Sequence, residues 1–391
     1  MEKRLWMIYT THMFVEIYLY IQVAMIPVIV REFQLTLIEA SLIATVPSIA
    51  MLLMNIPSGF LADRFSPNQL LCASMLIEGV SAFAISQTTS FWALVVGVVV
   101  MKIASPIYHI SGLSQISKLV QPKKVSRSIG FHNALGSLGS AIGLISLTVF
   151  LATTGWRWTY LVWSFPIIAW GIILLTSSEL KIRPAKVQVN PKVRRVSWFS
   201  SVFSPALLLF LAMIAIREIG ATGTSTFMTT YFVDVRSLSD TTASLVFALG
   251  PFIGIVGALG GGFLSERLGA KKALDWVLLG CSVSLLALSL MEHLYLLTFM
   301  YLVYTLFSNA LWSPMNTIMA RISSSANRGL SYSFYFFTEG LMDSIAPTIA
   351  AAVIAGSTVW FVFPFSVALF MTSLIVLQFL PRLEKRAIPS Y

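Results

Sequence analysis

Long apolar runs alternate with short polar breaks along the whole chain of 391 residues. The runs match the length, roughly 20 residues, that an α-helix needs to cross the hydrocarbon core of a bilayer. They are continuously apolar and lack the period-two alternation of a membrane barrel, so they predict helices. We expect twelve spans, near residues 6–30, 38–62, 69–88, 91–116, 128–152, 156–176, 205–233, 241–265, 273–291, 294–319, 329–355 and 358–380.

The longest polar break, residues 177–204, lies between the sixth and seventh spans and carries six bases. It predicts a solvated cytoplasmic linker, with binding to anionic lipid headgroups as the alternative. The expected organisation is a six-helix half at 1–176, the linker at 177–204, and a second six-helix half at 205–391.

A hexad repeat supports two related halves. Gly59-Phe60-Leu61-Ala62-Asp63-Arg64 closes the second run, and Gly262-Phe263-Leu264-Ser265-Glu266-Arg267 closes the eighth. Ser105-Pro106 and Ser313-Pro314 repeat in the fourth and tenth runs. Because six spans separate equivalent points, the halves share one topology, a plan that places substrate near the bilayer midplane between them. The predicted fold is an all-α membrane protein of twelve helices in two pseudo-symmetric halves.

Composition agrees with a membrane location. The chain is 57% hydrophobic and 11% charged, against about 25% charged in soluble domains. The net charge of +10 could attract nucleic acid, but the bases are distributed as the positive-inside rule requires. With both termini cytoplasmic, 21 bases fall in inner loops and three, Arg31, Arg157 and Arg236, in outer loops. We therefore expect a multi-pass cell-membrane protein with cytoplasmic termini and no nucleic-acid partner.

Motifs for catalysis and cofactor binding are missing from the sequence. Cys72 and Cys281 fall within apolar runs, and no CxxC spacing suggests a disulfide framework or a metal site. The chain has no GxxxxGK[ST], GxSxG or HExxH pattern. The sequence therefore predicts no enzyme, cofactor, metal or ATP drive, and the N-terminal run is interpreted as a retained span.

Ionisable residues inside spans are costly and so are candidate functional residues. His12 and Glu16 lie four residues apart on one helix face. Glu16 lies about 15 Å into its helix, near the midplane, where burial favours a protonated carboxyl. We expect Glu16 to couple protons and His12 to relay them or to bind an anionic group. A structural polar pair is the alternative.

Three further acids complete the predicted proton-coupling set. Glu339 and Asp343 form a second i, i+4 pair, and two close carboxylates favour binding one proton. Either acid could instead neutralise a buried base. Arg217 keeps its charge, so it needs a counter-charge or a substrate anion, and Glu218 or Glu16 could supply the former. Since adjacent helical positions point about 100° apart, Arg217 and Glu218 are not required to pair.

Bases and aromatics of the spans supply candidate substrate contacts. Lys102 and His109 lie seven residues apart on one face, beside a proline expected to kink the helix. Lys102 could instead serve gating as a partner of Asp63 or of a helix terminus. Glu78 belongs to a span expected away from the cavity. The predicted substrate contacts are His12, Lys102, His109, Arg217, Tyr20 and Tyr335.

Span five contains candidate gating and packing residues. His132 lies near its cytoplasmic start, where a role in gating or helix packing is as reasonable as contact with a ligand. Gly136, Gly139 and Gly143 follow at small-residue spacing, which favours close helix contact, with hinge motion as the alternative. We include His132, Gly139 and Gly143 among the gating candidates.

The first hexad resembles the signature between spans two and three of the major facilitator superfamily, although Ser66, Pro67 and Asn68 stand where glycine and bases are usual. The second copy keeps glycine and bases but has Glu266 as its acid. The resemblance implies that Asp63 and Arg64, and less closely Glu266 and Arg267, latch the cytoplasmic side in the outward-open state.

Other residues are similar to the fosmidomycin-resistance type of drug exporters within that superfamily. They are His12-x-x-x-Glu16, Glu32-Phe33-Gln34-Leu35-Thr36, Tyr108-His109 and Gly136-x-x-Gly139-x-x-x-Gly143. Leu144 stands where exporters usually carry proline. The resemblance implies efflux by proton antiport.

The sequence thus predicts a monomeric secondary transporter that works by alternating access in the bilayer. Its partners are protons and a small anionic or zwitterionic, drug-like substrate. The nearest alternative is proton symport or facilitated uptake of a metabolite. An alternative of another class is a non-transporting sensor or receptor on a transporter fold.

Overall fold

A computed structural model describes residues 2–120, 125–177, 204–322 and 328–381. Within those ranges all regular structure is helical, which confirms the predicted all-α class. The helices are α1 Glu2–Val15, α2 Ile21–Ala24, α3 Ile26–Phe33, α4 Leu37–Arg64, α5 Pro67–Ser86, α6 Phe91–Lys102, α7 Ala104–Leu119, α8 Val125–Thr153, α9 Arg157–Thr176, α10 Pro205–Asp234, α11 Asp240–Ala248, α12 Gly250–Leu268, α13 Ala270–Leu290, α14 Leu294–Ala310, α15 Trp312–Ile322, α16 Arg328–Ile354 and α17 Val362–Gln378, with a 3₁₀ turn at Val359–Phe361.

Eleven helical segments in the described ranges are long and apolar enough to cross a membrane. They coincide with the second to twelfth predicted spans. The first predicted span is interrupted, because residues 16–20 form turns between α1 and α2. There Ile17 N–H donates to Phe14 O and Leu19 N–H to Glu16 O, which replaces the i to i−4 ladder with tighter bonds.

Two other interruptions follow from proline and recur in both parts of the chain. α6 ends at Lys102, four residues before Pro106, and α14 ends at Ala310, four residues before Pro314. A proline has no N–H to bond the carbonyl four residues earlier and its ring clashes with it, so the helix breaks there. The break before Pro106 confirms the expected kink. The matching break before Pro314 shows that the repeat extends from the sequence to the backbone.

The two hexads are followed by different helix starts. After the first, Ser66 and Gln69 form a capping box with Pro67 at the first helical position. After the second, Gly269 precedes α13 with φ of +83°, a conformation that favours glycine. Ser66 and Pro67, which depart from the superfamily signature, therefore have a local structural role.

The described residues form two compact units. The first comprises the described residues up to 177 together with 228–251, and the second comprises 204–227 with the described residues from 252 onward. In the first unit α5 packs on α9, α1 packs on α8, and α11 also packs on α8. In the second, α13 packs on α14 and α17. The predicted halves, divided at the linker, stay a prediction, and the linker lies outside the described residues.

Candidate functional site

Two predicted imidazoles of the first unit converge on one carboxylate oxygen of a third predicted residue. Glu16 Oε1 lies 3.3 Å from His12 Nε2 and 3.4 Å from His109 Nε2. We call His12, Glu16 and His109 the His–Glu cluster. α1 and the turn that follows it supply two members at helical spacing, and α7 brings the third from 93 positions further along the chain.

Backbone carbonyls determine which imidazole nitrogens carry hydrogen. His12 Nδ1 lies 2.8 Å from His132 O, and His109 Nδ1 lies 3.0 Å from Ser105 O. Because a carbonyl only accepts hydrogen bonds, both Nδ1 atoms must donate. In a neutral ring, each Nε2 then presents a lone pair to Glu16. The cluster therefore brings three acceptors together unless protons or a cation lie between them.

His132 and Tyr108 support the His12 ring. The His132 ring stacks on His12 with centroids 3.6 Å apart, and Tyr108 lies nearly parallel to His12 at 5.5 Å. Tyr108 donates its hydroxyl hydrogen to Ile8 O, so His132 Nε2 donates to that hydroxyl oxygen, at 2.8 Å. His132 is 1% exposed. The structure thus places this predicted gating residue against the cluster.

The glycines of α8 allow its close approach to α1. A Cβ at Gly139 or Gly143 would overlap the carbonyl oxygen of Met13 or Ile17. A Cβ at Gly136 would overlap the His12 ring. These contacts agree with the close helix contact that the glycine spacing favours. The gating role of Gly139 and Gly143 stays a prediction.

A small cavity lies beside Glu16. Its volume is about 20 Å³, room for roughly one water molecule. It is lined by Val15, Glu16, Tyr18, Leu19, Glu78, Met101, Lys102 and Ser105.

Glu78 also lines this small cavity, and the expectation that its span lies away from the substrate cavity stays a prediction. Glu78 is 3% exposed, and its Oε2 has no hydrogen-bond partner among the described residues. The available signal was an acid in the middle of an apolar run, which is costly without a function.

Lys102 also lines this cavity and contacts backbone exposed by the break in the first span. Its Nζ donates to Leu19 O at 3.3 Å, and Gln22 Nε2 donates to the same oxygen at 3.1 Å. A carbonyl outside the helical ladder thus helps to solvate a charge at bilayer depth.

The second unit contains a separate acid–base cluster. Arg217, 4% exposed, forms ion pairs with Glu218 and, at 3.3 Å, with Glu339. Thr222 donates to Asp343 Oδ1 at 2.8 Å, and its hydroxyl lies 3.2 Å from Glu218 Oε1. Arg217 therefore has two acidic partners. The pair with Glu218 forms because long side chains overcome the divergence of adjacent positions.

The two predicted aromatic substrate contacts, Tyr20 and Tyr335, each meet another aromatic ring. Tyr20 is 38% exposed and meets Phe247 edge to face, and Tyr335 is fully buried and stacks on Phe210. Neither contact tests a role in substrate binding.

The structure describes only some of the predicted gating residues in the two hexads. The side chain of Asp63 lies outside the described part of the structure, and Arg64 is exposed at the end of α4. In the second hexad, the guanidinium of Arg267 lies 4.2 Å above the Phe263 ring, and Glu266 precedes it in the last turn of α12. The gating role of these four residues stays a prediction.

Curated relatives of the chain include anion carriers. It is 24% identical over 268 residues to a "Nitrite extrusion protein" of Bacillus subtilis, a match covering 67% of this chain and 64% of that protein. It is 21% identical over 280 residues to a "Probable nitrate transporter NarT" of Staphylococcus epidermidis, covering 70% of this chain and 69% of that protein. The chain thus spans just under two thirds of the Bacillus relative.

Solved structures show the same fold. A bacterial homologue of the human lysosomal transporter Spinster, in an inward-facing and occupied conformation, superposes with a TM-score of 0.82 at 16% identity, covering 98% of this chain and 97% of that one. A mutant of the nucleoside transporter NupG superposes with a TM-score of 0.80 at 13% identity, covering 96% of this chain and 99% of that one.

The family model described as "Major Facilitator Superfamily" matches residues 8–347, nearly the whole chain. This family and fold are those of multi-pass membrane transporters of small molecules, not of enzymes. The chain therefore belongs to the Major Facilitator Superfamily.

Proposed function

We propose that this transporter couples protons to the movement of a small anion across the cell membrane. The observation that carries the proposal is the convergence of two imidazole Nε2 atoms on one oxygen of Glu16, at 3.3 and 3.4 Å. Both rings donate from Nδ1 to carbonyls, so a proton is needed on each Nε2–Oε1 contact to make it attractive.

The charge around the cavity supports an anionic substrate. Lys102 and Glu16 line the same cavity, and His109 approaches Glu16 from α7. Protonation of the His–Glu cluster adds positive charge beside Lys102, which favours an anion there. An anion and a proton would then bind together, and their binding free energies would be linked.

The printed names of the relatives favour a small inorganic anion over a drug-sized one. The relatives from Bacillus and Staphylococcus carry the names of nitrite and nitrate transporters. Nitrite and nitrate are therefore the first substrates to test.

Co-binding of proton and anion corresponds to symport. Efflux by proton antiport, which the resemblance to fosmidomycin-resistance exporters implies, is the second candidate. In that exchange the arriving proton displaces the substrate from the site. The direction in which a pH gradient drives the anion separates the two.

The test uses purified protein in proteoliposomes with an imposed pH gradient and external nitrite or nitrate. We expect anion accumulation on the alkaline side. Glu16→Gln should lower gradient-driven accumulation by about tenfold, within the range of measured coupling energies, while exchange of anion for anion continues. His293→Gln, on an exposed loop, is the matched control and should behave as wild type.

Two outcomes would contradict the proposal. Undiminished gradient-driven transport in Glu16→Gln would remove the coupling role of the cluster. Failure of the wild type to move either anion, in either direction, would remove the small-anion assignment. Accumulation on the acidic side would replace symport with antiport and leave the coupling site in place.

A further inference from the structure

We propose that the His–Glu cluster is also a binding site for a divalent transition-metal ion of the Zn²⁺ class, and that the bound ion arrests transport. The metal site goes beyond the proposed function, because it assigns a different ligand and its binding is measured without transport, whereas the arrest rests on the proton-coupling role proposed for the same cluster. The sequence contains no metal motif, since the ligands come from two segments far apart along the chain.

The spacing of the ligand atoms fits a tetrahedral ion. One ligand atom from each of His12, Glu16 and His109 lies within 4.8 Å of the others, and two of the separations are 3.3 and 3.4 Å. With bonds of about 2.0–2.1 Å, the ligand atoms of a tetrahedral Zn²⁺ are about 3.3–3.4 Å apart. Two of the three edges of the ligand triangle therefore already have the required length.

The chemistry of the ligands fits as well as their spacing. Two imidazoles and a carboxylate with a fourth open position form a common three-ligand zinc set. Metal-binding histidines typically donate their other N–H to a carbonyl or carboxylate, which fixes the ring and leaves the lone pair on the metal side. His12 does this with His132 O, and His109 with Ser105 O. Both rings are thus oriented for metal binding before any ion arrives.

The surroundings supply a fourth ligand and an entry path. The adjacent cavity, lined by Glu16 and Ser105, has room for roughly one water molecule, which can complete the tetrahedron. The side chain of His109 is 34% exposed, whereas those of His12 and Glu16 are 7% and 12% exposed, so His109 faces the route of entry.

The net charge is tolerable at bilayer depth. Two neutral imidazoles and one carboxylate leave a charge of +1 on the bound ion. Glu78 and Lys102 line the same cavity, and an ionised Glu78 would offset the charge of Lys102. An ion held there occupies the three groups that would otherwise bind protons, so it competes with the transport cycle.

The binding experiment titrates Co²⁺, then Zn²⁺, into purified full-length transporter that carries no oligohistidine tag. We expect one equivalent of Co²⁺ per chain, with the intense visible absorption of a four-coordinate nitrogen–oxygen site, and its displacement by Zn²⁺. This spectrum is obtained on the wild type, so it does not depend on the folding of a variant. A weak octahedral spectrum, or no saturable binding, would overturn the proposal.

Variants then assign the ligands. His109→Gln and Glu16→Gln should each weaken Co²⁺ binding by more than about tenfold, whereas His293→Gln should leave it unchanged. Each variant is compared only when it elutes as a single species on size exclusion. Wild-type affinity in both His109→Gln and Glu16→Gln would exclude the cluster as the site.

Inhibition is the second readout. Zn²⁺ should arrest transport by the wild type and by His293→Gln at the concentrations that displace Co²⁺. Saturation of the site without any loss of transport would overturn the proposed arrest. Because Co²⁺ binding needs no substrate, a failure of the anion assignment leaves the metal test intact.

Discussion

His12 is held through its ring faces and at both nitrogens. His132 stacks on the ring, Gly136 on α8 lies against it, Nδ1 contacts a backbone carbonyl, and Nε2 meets Glu16. A side chain held in this way has little rotamer freedom left to lose when a proton, anion or metal binds. The orientation of one imidazole thus depends on the absence of a side chain at residue 136.

Replacing Gly136 with alanine should therefore disturb the cluster more than it disturbs the helix. The added Cβ overlaps the His12 ring and must displace it, while alanine itself favours a helix by about 1 kcal/mol over glycine. We expect Gly136→Ala to reduce both Co²⁺ binding and gradient-driven transport by about tenfold or more. Both are measured with the assays described above.

Gly260→Ala is the control for this substitution. Gly260 lies in α12, and a Cβ there meets nothing within 4 Å. It should leave transport unchanged and slightly raise the unfolding temperature. Wild-type transport and metal binding in Gly136→Ala would show that the position of His12 is unimportant.

Residue spacing alone predicts part of the site. His12 and Glu16 are neighbours in any helix because they lie four positions apart. The contacts of His109 with Glu16 and of His132 with His12 join different helices, and no periodicity within one helix predicts them. The same holds for Glu78, since only the packing of α5 shows what its side chain faces.

At the scale of elements, the ends of three helices are tied together by one glutamate. Glu32, in the last turn of α3, accepts from Trp156 Nε1 at 2.8 Å and from Arg157 Nη2 at 2.5 Å. Arg157 also donates to Thr88 O, beyond the end of α5. Glu32, the first residue of the Glu32–Thr36 stretch that resembles drug exporters, thus has a structural role where these three helices end or begin.

This contact predicts a pH dependence of stability. Burial alone would raise the pKa of Glu32, but the hydrogen bonds from Arg157 and Trp156 outweigh it and hold the pKa below its usual 4.5. A carboxyl with a depressed folded pKa stabilises the protein above its unfolded pKa, and that stabilisation is lost as pH falls through the folded pKa. The side chains of Arg157 and Glu32 are 33% and 31% exposed, so solvent screens the pair and its contribution is about 0–1 kcal/mol.

We expect Glu32→Gln to lower the unfolding temperature at pH 7 by a few degrees at most. The difference from wild type should shrink as the pH is lowered below about 4.5. Intrinsic fluorescence, followed during heating, measures the unfolding temperature of each protein. Glu292→Gln, at an exposed acid, should show no such difference. A difference in unfolding temperature between Glu32→Gln and wild type that persists or widens at acidic pH would contradict this explanation.

Helix existence and helix breaks differ in how far the sequence predicts them. Apolar runs locate the spans because the bilayer demands a minimum length. Pro106 predicts the break after α6, because proline has no N–H to donate to the carbonyl one turn earlier. The break between Val15 and Ile21 contains neither proline nor glycine, so the residue types within it do not predict it.

At the scale of the whole molecule, residues 228–251 pack with the first six spans. α11 lies against α8, where Thr148 donates to Ser244 Oγ at 2.8 Å, and Asp240 forms an ion pair with Arg31. Thr148 and Ser244 are 7% and 1% exposed, so the contact is dry. A carrier that works by alternating access changes contacts between its repeats during each cycle.

Linking these two residues should therefore stop transport. Because the two side-chain oxygens are 2.8 Å apart, we choose these positions for an engineered disulfide. We expect Thr148→Cys/Ser244→Cys to lose transport by about tenfold or more after mild copper-free oxidation and to recover it on reduction. The single variants are the controls, since Cys72 and Cys281 are present in all and buried. Full transport with the cross-link formed would show that this contact stays closed during turnover.

The paired breaks after Lys102 and Ala310 bear on how the two parts of the chain are best compared. Both lie four residues before a proline and are separated by 208 positions, yet a lysine occupies one and an alanine the other. The backbone interruption recurs while the side chain beside it differs. A comparison of the two parts is thus better anchored on their shared helix breaks than on matching side chains. By that alignment, Ala310→Lys would give the second copy the charge that the first one carries.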